Sequence, residues 1–213
     1  VYDNIRKVIA WTLPTNGGEA LAITLALLVG FTLPMTAPQI LWINMITTVT
    51  LGLALAFELP ERDLMSKPPR RRDESLVTPF MLWRIIVVSI LFTIGAFGIF
   101  SWAHVNGYDV ETARTMVVNL FCIMEICYLF NVRYMRTSSI TLQGLRGTPA
   151  VWAAVVTVII GQLAFTYLPW MNVIFESRPL MMFEWFVLMM CGVVLIALLE
   201  LEKWLLRKFS LFQ

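Results

Sequence analysis

Pro14-Thr15-Asn16-Gly17-Gly18-Glu19 runs directly into Ala20-Leu21-Ala22-Ile23-Thr24-Leu25-Ala26-Leu27-Leu28-Val29. A membrane helix needs about 20 mostly apolar residues, and this stretch with its upstream flank supplies them. A Glu inside such a run costs roughly 2.5–3.5 kcal/mol on insertion scales. Intramembrane acids are functional by default, most often as ligands for an ion or a proton. A second polar cluster, Asn44, Thr47 and Thr48, lies in the next apolar run. The chain therefore reads as the ion-binding membrane portion of a transporter.

Working outward, the composition agrees. Of 213 residues, 59% are hydrophobic and 14% charged. A soluble domain carries about 25% charge, so the deficit points to the bilayer as partner. A net charge of +2 is too small to suggest nucleic acid. Cys122, Cys127 and Cys191 lie in apolar stretches without metal-ligand spacing, and read as packed thiols. The chain opens on Val1 without a signal peptide, which suggests a piece of a longer protein.

Six stretches qualify as spans: 8–31, 38–57, 82–104, 113–132, 150–169 and 183–204. The expected fold class is all-α, a polytopic membrane helical bundle with six transmembrane helices. Its expected parts are two ion-site helices over 1–57, a basic cytoplasmic loop over 58–81 and a four-helix bundle over 82–213. An even number of spans puts both ends on one side. Fourteen of the sixteen Lys and Arg residues fall on that side, leaving Arg114 and Arg178 on the other. The positive-inside rule then makes both termini cytoplasmic. Trp83, Trp102, Trp152, Trp170 and Trp185 sit near span ends, as an aromatic belt requires.

Several residues could do chemistry. Pro14 removes one helical hydrogen bond, and Gly17-Gly18 allow close approach of another group. Asn16 and Glu19 are three apart and share a helix face. A kinked helix with an amide and an acid on one face can present oxygens to a cation. The alternative is a small-residue packing seam with Glu19 hydrogen-bonded as a neutral acid. In the second span, Thr47, Thr48, Thr50 and Gly52 weaken the helix. Local unwinding there would free carbonyls for an ion; the alternative is threonines bonding back to their own helix. Glu125 is a second intramembrane acid, either a ligand or proton site or a helix-to-helix hydrogen bond. Gln162 reads as structural and His104 as interfacial. Asp109, Glu111 and Glu176 read as solvated, and Glu200 and Glu202 as pairing with Lys203 at the interface. The charge run from Glu58 to Glu74 is either a solvated loop near anionic lipid or a contact surface for a cytoplasmic domain.

Several ordered segments resemble the carboxy-terminal six-helix region of the P-type cation-transporting ATPases, the calcium-pump-like group. Val1-Tyr-Asp-Asn-Ile-Arg-Lys7 resembles the stalk entering that family's fifth membrane helix. Thr15-Asn16-Gly-Gly-Glu19 resembles its Asn-x-x-Glu ion motif, and Leu41-Trp-Ile-Asn44-Met-Ile-Thr47-Thr48 its sixth helix. Phe57-Glu58 with Asp63-Leu-Met-Ser-Lys-Pro-Pro-Arg70 resembles the loop that follows, and Ile123-Met-Glu125-Ile-Cys127 the eighth helix.

The resemblance implies an ATP-driven pump working through a phosphorylated aspartate, in a cell (inner) membrane. The parent protein would use ATP and Mg2+. This chain has no Asp-Lys-Thr-Gly motif and would not be catalytic alone. Its partners would be the missing amino-terminal helices and cytoplasmic domains of the same pump. Asn16, Glu19, Asn44, Thr47 and Glu125 match ligand positions of calcium pumps, while Thr48 stands where they carry aspartate. Two acids are few for two calcium ions, so one divalent ion, a monovalent cation or a proton also fits. The alternatives are a standalone six-helix channel or secondary transporter, and a non-transporting membrane anchor.

Overall fold

The computed structural model describes residues 2–57, 76–133 and 148–209. The charge run from Glu58 to Glu74 lies outside the described residues. Helix α1 spans Tyr2–Val29, α2 Ala37–Ala56, α3 Pro79–Val105, α4 Val110–Arg133, α5 Pro149–Tyr167, α6 Pro169–Phe175 and α7 Met182–Lys208. All but α6 are long and apolar enough to cross a membrane, and each coincides with an expected span. No strand occurs among the described residues.

Helix starts follow from local chemistry. Thr78 and Thr148 accept hydrogen bonds from the amides of Met81 and Val151, each followed by a proline at the first helical position. The cap at Thr78 makes residues 79–81 helical, where a loop was expected. Before α2, the Thr36 amide donates to the Gln39 side chain at 3.0 Å. Pro169 ends α5 and opens the unexpected α6, which stops at Glu176 with φ +53°.

α4 forms the centre of the bundle: 78% of its span is buried, against 28–39% for the other five. α1 packs most extensively on α3, so α1 is continuous with the bundle behind it. Ile90, Ile94, Ile160, Phe186 and Val193 point outward, as lipid-facing side chains do. The three cysteines are free.

The connections sort into two ends. At one, Arg114 donates to the Leu33 carbonyl, Gln39 to the Phe175 carbonyl, and Arg178 pairs with Asp109 and Glu111. The two acids expected to be merely solvated thus hold an exposed ion pair. At the other end Asn4 donates to the Ala56 carbonyl. There too, Arg84, Asn131, Glu200, Glu202 and Lys203 join α3, α4 and α7. Arg84 meets Glu202 at 2.8 Å and Asn131 at 2.5 Å, and Lys203 meets Glu200 at 3.3 Å. The expected interfacial pairing of Glu200 and Glu202 is therefore largely buried.

Candidate functional site: an acid pair beside a widened helix

Pro14 has no amide hydrogen, so the Ala10 carbonyl one turn earlier loses its helical partner. Tyr128 of α4 donates to that carbonyl at 2.8 Å. The next carbonyl along this face, Pro14 O, accepts from Ser89 of α3 at 3.0 Å. With these carbonyls satisfied, α1 continues as one helix through the proline. Gly17 and Gly18 lie against α3: a β-carbon at Gly18 would come within 2.5 Å of Phe92 Cβ. The glycine pair therefore serves helix packing, the alternative that the sequence left open beside ion binding.

Thr15 and Glu19 sit four residues apart, about 40° around the helix, and both turn inward. Glu19 is 3% exposed. One carboxyl oxygen accepts from the Asn44 side-chain amide at 2.7 Å; the other is buried with no partner. Asn16 is about 60° away from Glu19, enough to leave it exposed at the edge of α1. The shared face expected for these two residues does not bring them together.

Asn44 opens a nine-residue π-helical stretch, Asn44–Gly52, inside α2. Such widened turns are rare and collect at functional sites. The expected unwinding does not occur. Thr47 donates to the Ile43 carbonyl at 2.9 Å and Thr50 to the Ile46 carbonyl, so the threonines bond back to their own helix. Thr48 is half-buried, and its hydroxyl makes no hydrogen bond among the described residues.

Glu125 reaches the same place from α4 and is 1% exposed. Its carboxyl lies against the Thr47 side chain and within electrostatic reach of Glu19. One of its oxygens is buried without a partner. No Lys or Arg among the described residues pairs with either acid. Glu19, Asn44, Thr47 and Glu125 thus meet at mid-bundle, Thr48 stands on the same widened stretch, and Asn16 stays outside. Cys122, expected only as a packed thiol, lies one turn from Glu125 and within electrostatic reach of both acids. Gln162 accepts from the Trp42 indole at 3.1 Å and donates to Cys122, a link between α2, α5 and α4. His104 is exposed at the end of α3. Among the described residues, no group of three or more His, Cys, Asp or Glu forms a metal cluster, so any cation here depends on amide and hydroxyl oxygens as well.

A family model described as "Cation transporting ATPase, C-terminus" matches residues 32–205. The chain belongs to this family. Within the cation-transporting ATPase carboxy-terminal region so matched lie Asn44, Thr47, Thr48 and Glu125; Asn16 and Glu19 precede it. "Probable cation-transporting ATPase F" of Mycobacterium tuberculosis is 43% identical over 185 residues, 87% of this chain and 20% of that protein. "Cation-transporting ATPase pma1" of Synechocystis is 35% identical over 190 residues, 87% of this chain and 21% of that protein. "Calcium-transporting ATPase type 2C member 1" of Mus musculus is 31% identical over 182 residues, 84% of this chain and 20% of that protein. The chain spans about a fifth of the length of these relatives.

Proposed function

We propose that this chain is the cation-binding membrane part of an ATP-driven P-type cation pump, with Glu19 and Glu125 as the charged ligands of one divalent cation. The observation that carries the reading is the pair of buried carboxyls, from α1 and α4, each with an unpartnered oxygen and no cationic residue beside it. An unpaired buried carboxylate costs several kcal/mol, which a bound cation or a proton offsets. Two acids balance the charge of one divalent ion. Asn44, Thr47 and Thr48 complete the oxygen set from α2. Asn44 now turns its nitrogen to Glu19; a half-turn of its amide presents oxygen instead, and this torsion is soft.

The phosphorylation and nucleotide domains, with their ATP and Mg2+, would lie in the rest of the longer protein. So would the helices that cover the exposed edge of α1 at Asn16. Both termini of this chain face the cytoplasm in this reading, because the spans expected from the sequence put fourteen of sixteen basic residues on the side of the termini. The calcium named for one relative makes Ca2+ the first ion to try.

The experiment is ATP hydrolysis by the full-length protein, titrated with Ca2+, other divalent ions, Na+ and K+ at several pH values. A divalent ion should stimulate it, and Glu19→Gln or Glu125→Gln should abolish that stimulation. Unchanged stimulation in both variants would sink the site. Stimulation by protons or monovalent ions alone would retain the pump and refute the divalent assignment.

A further inference from the structure

Two side chains near the acid pair cross between α1 and α4 in opposite directions. Trp11 of α1 donates its indole N–H to the backbone carbonyl of Glu125 at 3.2 Å. Tyr128 of α4 donates its hydroxyl to the Ala10 carbonyl at 2.8 Å. Both side chains are wholly buried. The two donors stand next to the two acceptors: Trp11 follows Ala10, and Tyr128 lies one turn beyond Glu125. We propose that Trp11 and Tyr128 are positioning residues, a reciprocal clamp that sets the register of α1 against α4 and so the separation of the two carboxyls. This rests on the ion-site reading above.

The physical case has three parts. The Ala10 carbonyl is the one that Pro14 strips of its helical donor, so the Tyr128 bond has no substitute within α1. The acceptor of Trp11 is the backbone of a proposed ligand, so its loss is felt at the ligand itself. A helix slid by one residue moves about 1.5 Å, which stretches and misaligns both bonds at once. Cation–oxygen contacts tolerate far less, since calcium takes its oxygens at about 2.3–2.6 Å. Arg84 holds the Tyr128 ring from the other side, its guanidinium 5.8 Å from the ring centroid and itself tied to Glu202 and Asn131. The clamp therefore connects the buried charge network at one end of the bundle to the acid pair at its middle.

The test uses the full-length protein with Trp11→Phe and Tyr128→Phe, which keep an aromatic ring and delete the donor. Each should raise the half-saturating cation concentration about tenfold, the equivalent of about 1.4 kcal/mol, while maximal turnover falls much less. Pro14→Ala restores an amide to the Ala10 carbonyl but not the bond to α4, so Pro14→Ala/Tyr128→Phe should regain stability relative to Tyr128→Phe yet keep its raised half-saturation. If Tyr128→Phe fails to assemble, half-saturation is read in that double variant: a value about tenfold above wild type supports the clamp, and a wild-type value overturns it. Continued failure to assemble, with Trp11→Phe at wild-type half-saturation, overturns it. Half-saturation within about twofold of wild type in both single variants also overturns it, as does lost turnover or stability at unchanged half-saturation. Glu19→Gln and Glu125→Gln run alongside. If they abolish cation dependence while the clamp variants leave half-saturation unchanged, only the clamp fails. If they too leave it unchanged, the ion site has failed first.

Discussion

Gly18→Ala tests whether the glycine pair of α1 is a packing seam. The added β-carbon would lie 2.5 Å from Phe92 Cβ and 3.2 Å from its Cγ. Carbon atoms pack at about 3.5–4.0 Å, so the shortfall is about 1 Å. Phe92 cannot swing aside cheaply. Its Cβ is one bond from the α3 backbone, and its buried ring meets Phe121 edge-on at 5.5 Å. The two helices must therefore separate along the seam.

Overpacking of this kind costs about 1–3 kcal/mol, and the helical preference of Ala over Gly returns about 0.5–1 kcal/mol. The net loss should be about 1–2 kcal/mol, a drop of roughly 3–6 °C in melting temperature for a chain of this size. Gly98, also in helix α3, has nothing within 4 Å of its would-be β-carbon, so Gly98→Ala should hold or raise the melting temperature. The assay is thermal unfolding of both variants in the same detergent, followed by tryptophan fluorescence. A Gly18→Ala protein melting at or above wild type would refute the seam. Because Gly18 adjoins Glu19, the same variant should also bind cation more weakly.

Further outcomes follow from single contacts. Thr48→Asp adds a third acid to the widened stretch of α2 and should raise apparent affinity for divalent ions; unchanged divalent dependence would place Thr48 off the site. Asn44→Leu removes the amide that meets Glu19 at 2.7 Å and should weaken cation stimulation of ATP hydrolysis at least tenfold, about 1.4 kcal/mol. Glu202→Gln leaves buried Arg84 without its carboxylate and should cost about 3 kcal/mol, largely recovered in Arg84→Met/Glu202→Met, read by urea or thermal unfolding. Tyr108 donates to Glu184 at 2.6 Å, and that bond and the Glu184 charge raise its ionisation above the ordinary phenol value. The bond's contribution is complete below the unfolded tyrosine's ionisation and lost as pH rises through the raised folded value. Tyr108→Phe should therefore melt lower at neutral pH and converge with wild type in strong alkali.

The spans were legible because each apolar run exceeds what a soluble helix needs; the Thr78-Pro79 start, which sets the true boundary of α3, was in the sequence but went unread. Glu19 and Glu125 were legible as candidates because an acid in hydrocarbon requires a reason. Their convergence was not, because α1 and α4 meet through packing that no local pattern encodes. Asn16 shows the limit of spacing arguments. Three residues along a helix leave about 60° of rotation, and at the edge of a face that decides between buried and exposed. Gly17-Gly18 illustrate another limit: a glycine pair announces close approach, yet only the fold reveals that the approaching group is Phe92. The widening of α2 had a signal in its threonines and Gly52, but weak helix propensity does not distinguish an unwound turn from a π turn.

That distinction bears on which ion fits. An unwound α2 would offer backbone carbonyls, and with them enough oxygens for a second cation. A π-helical α2 keeps its backbone bonded, and Thr47 and Thr50 bond to the Ile43 and Ile46 carbonyls. Coordination must then come mainly from side chains. Each Glu supplies two oxygens and Asn44, Thr47 and Thr48 one each, about seven in all. One calcium ion takes six to eight. The same set divided between two ions would leave each with too few oxygens and one negative charge. For the site proposed here, a bonded backbone and the absence of a carboxylate at position 48 both weigh toward one divalent cation and against two.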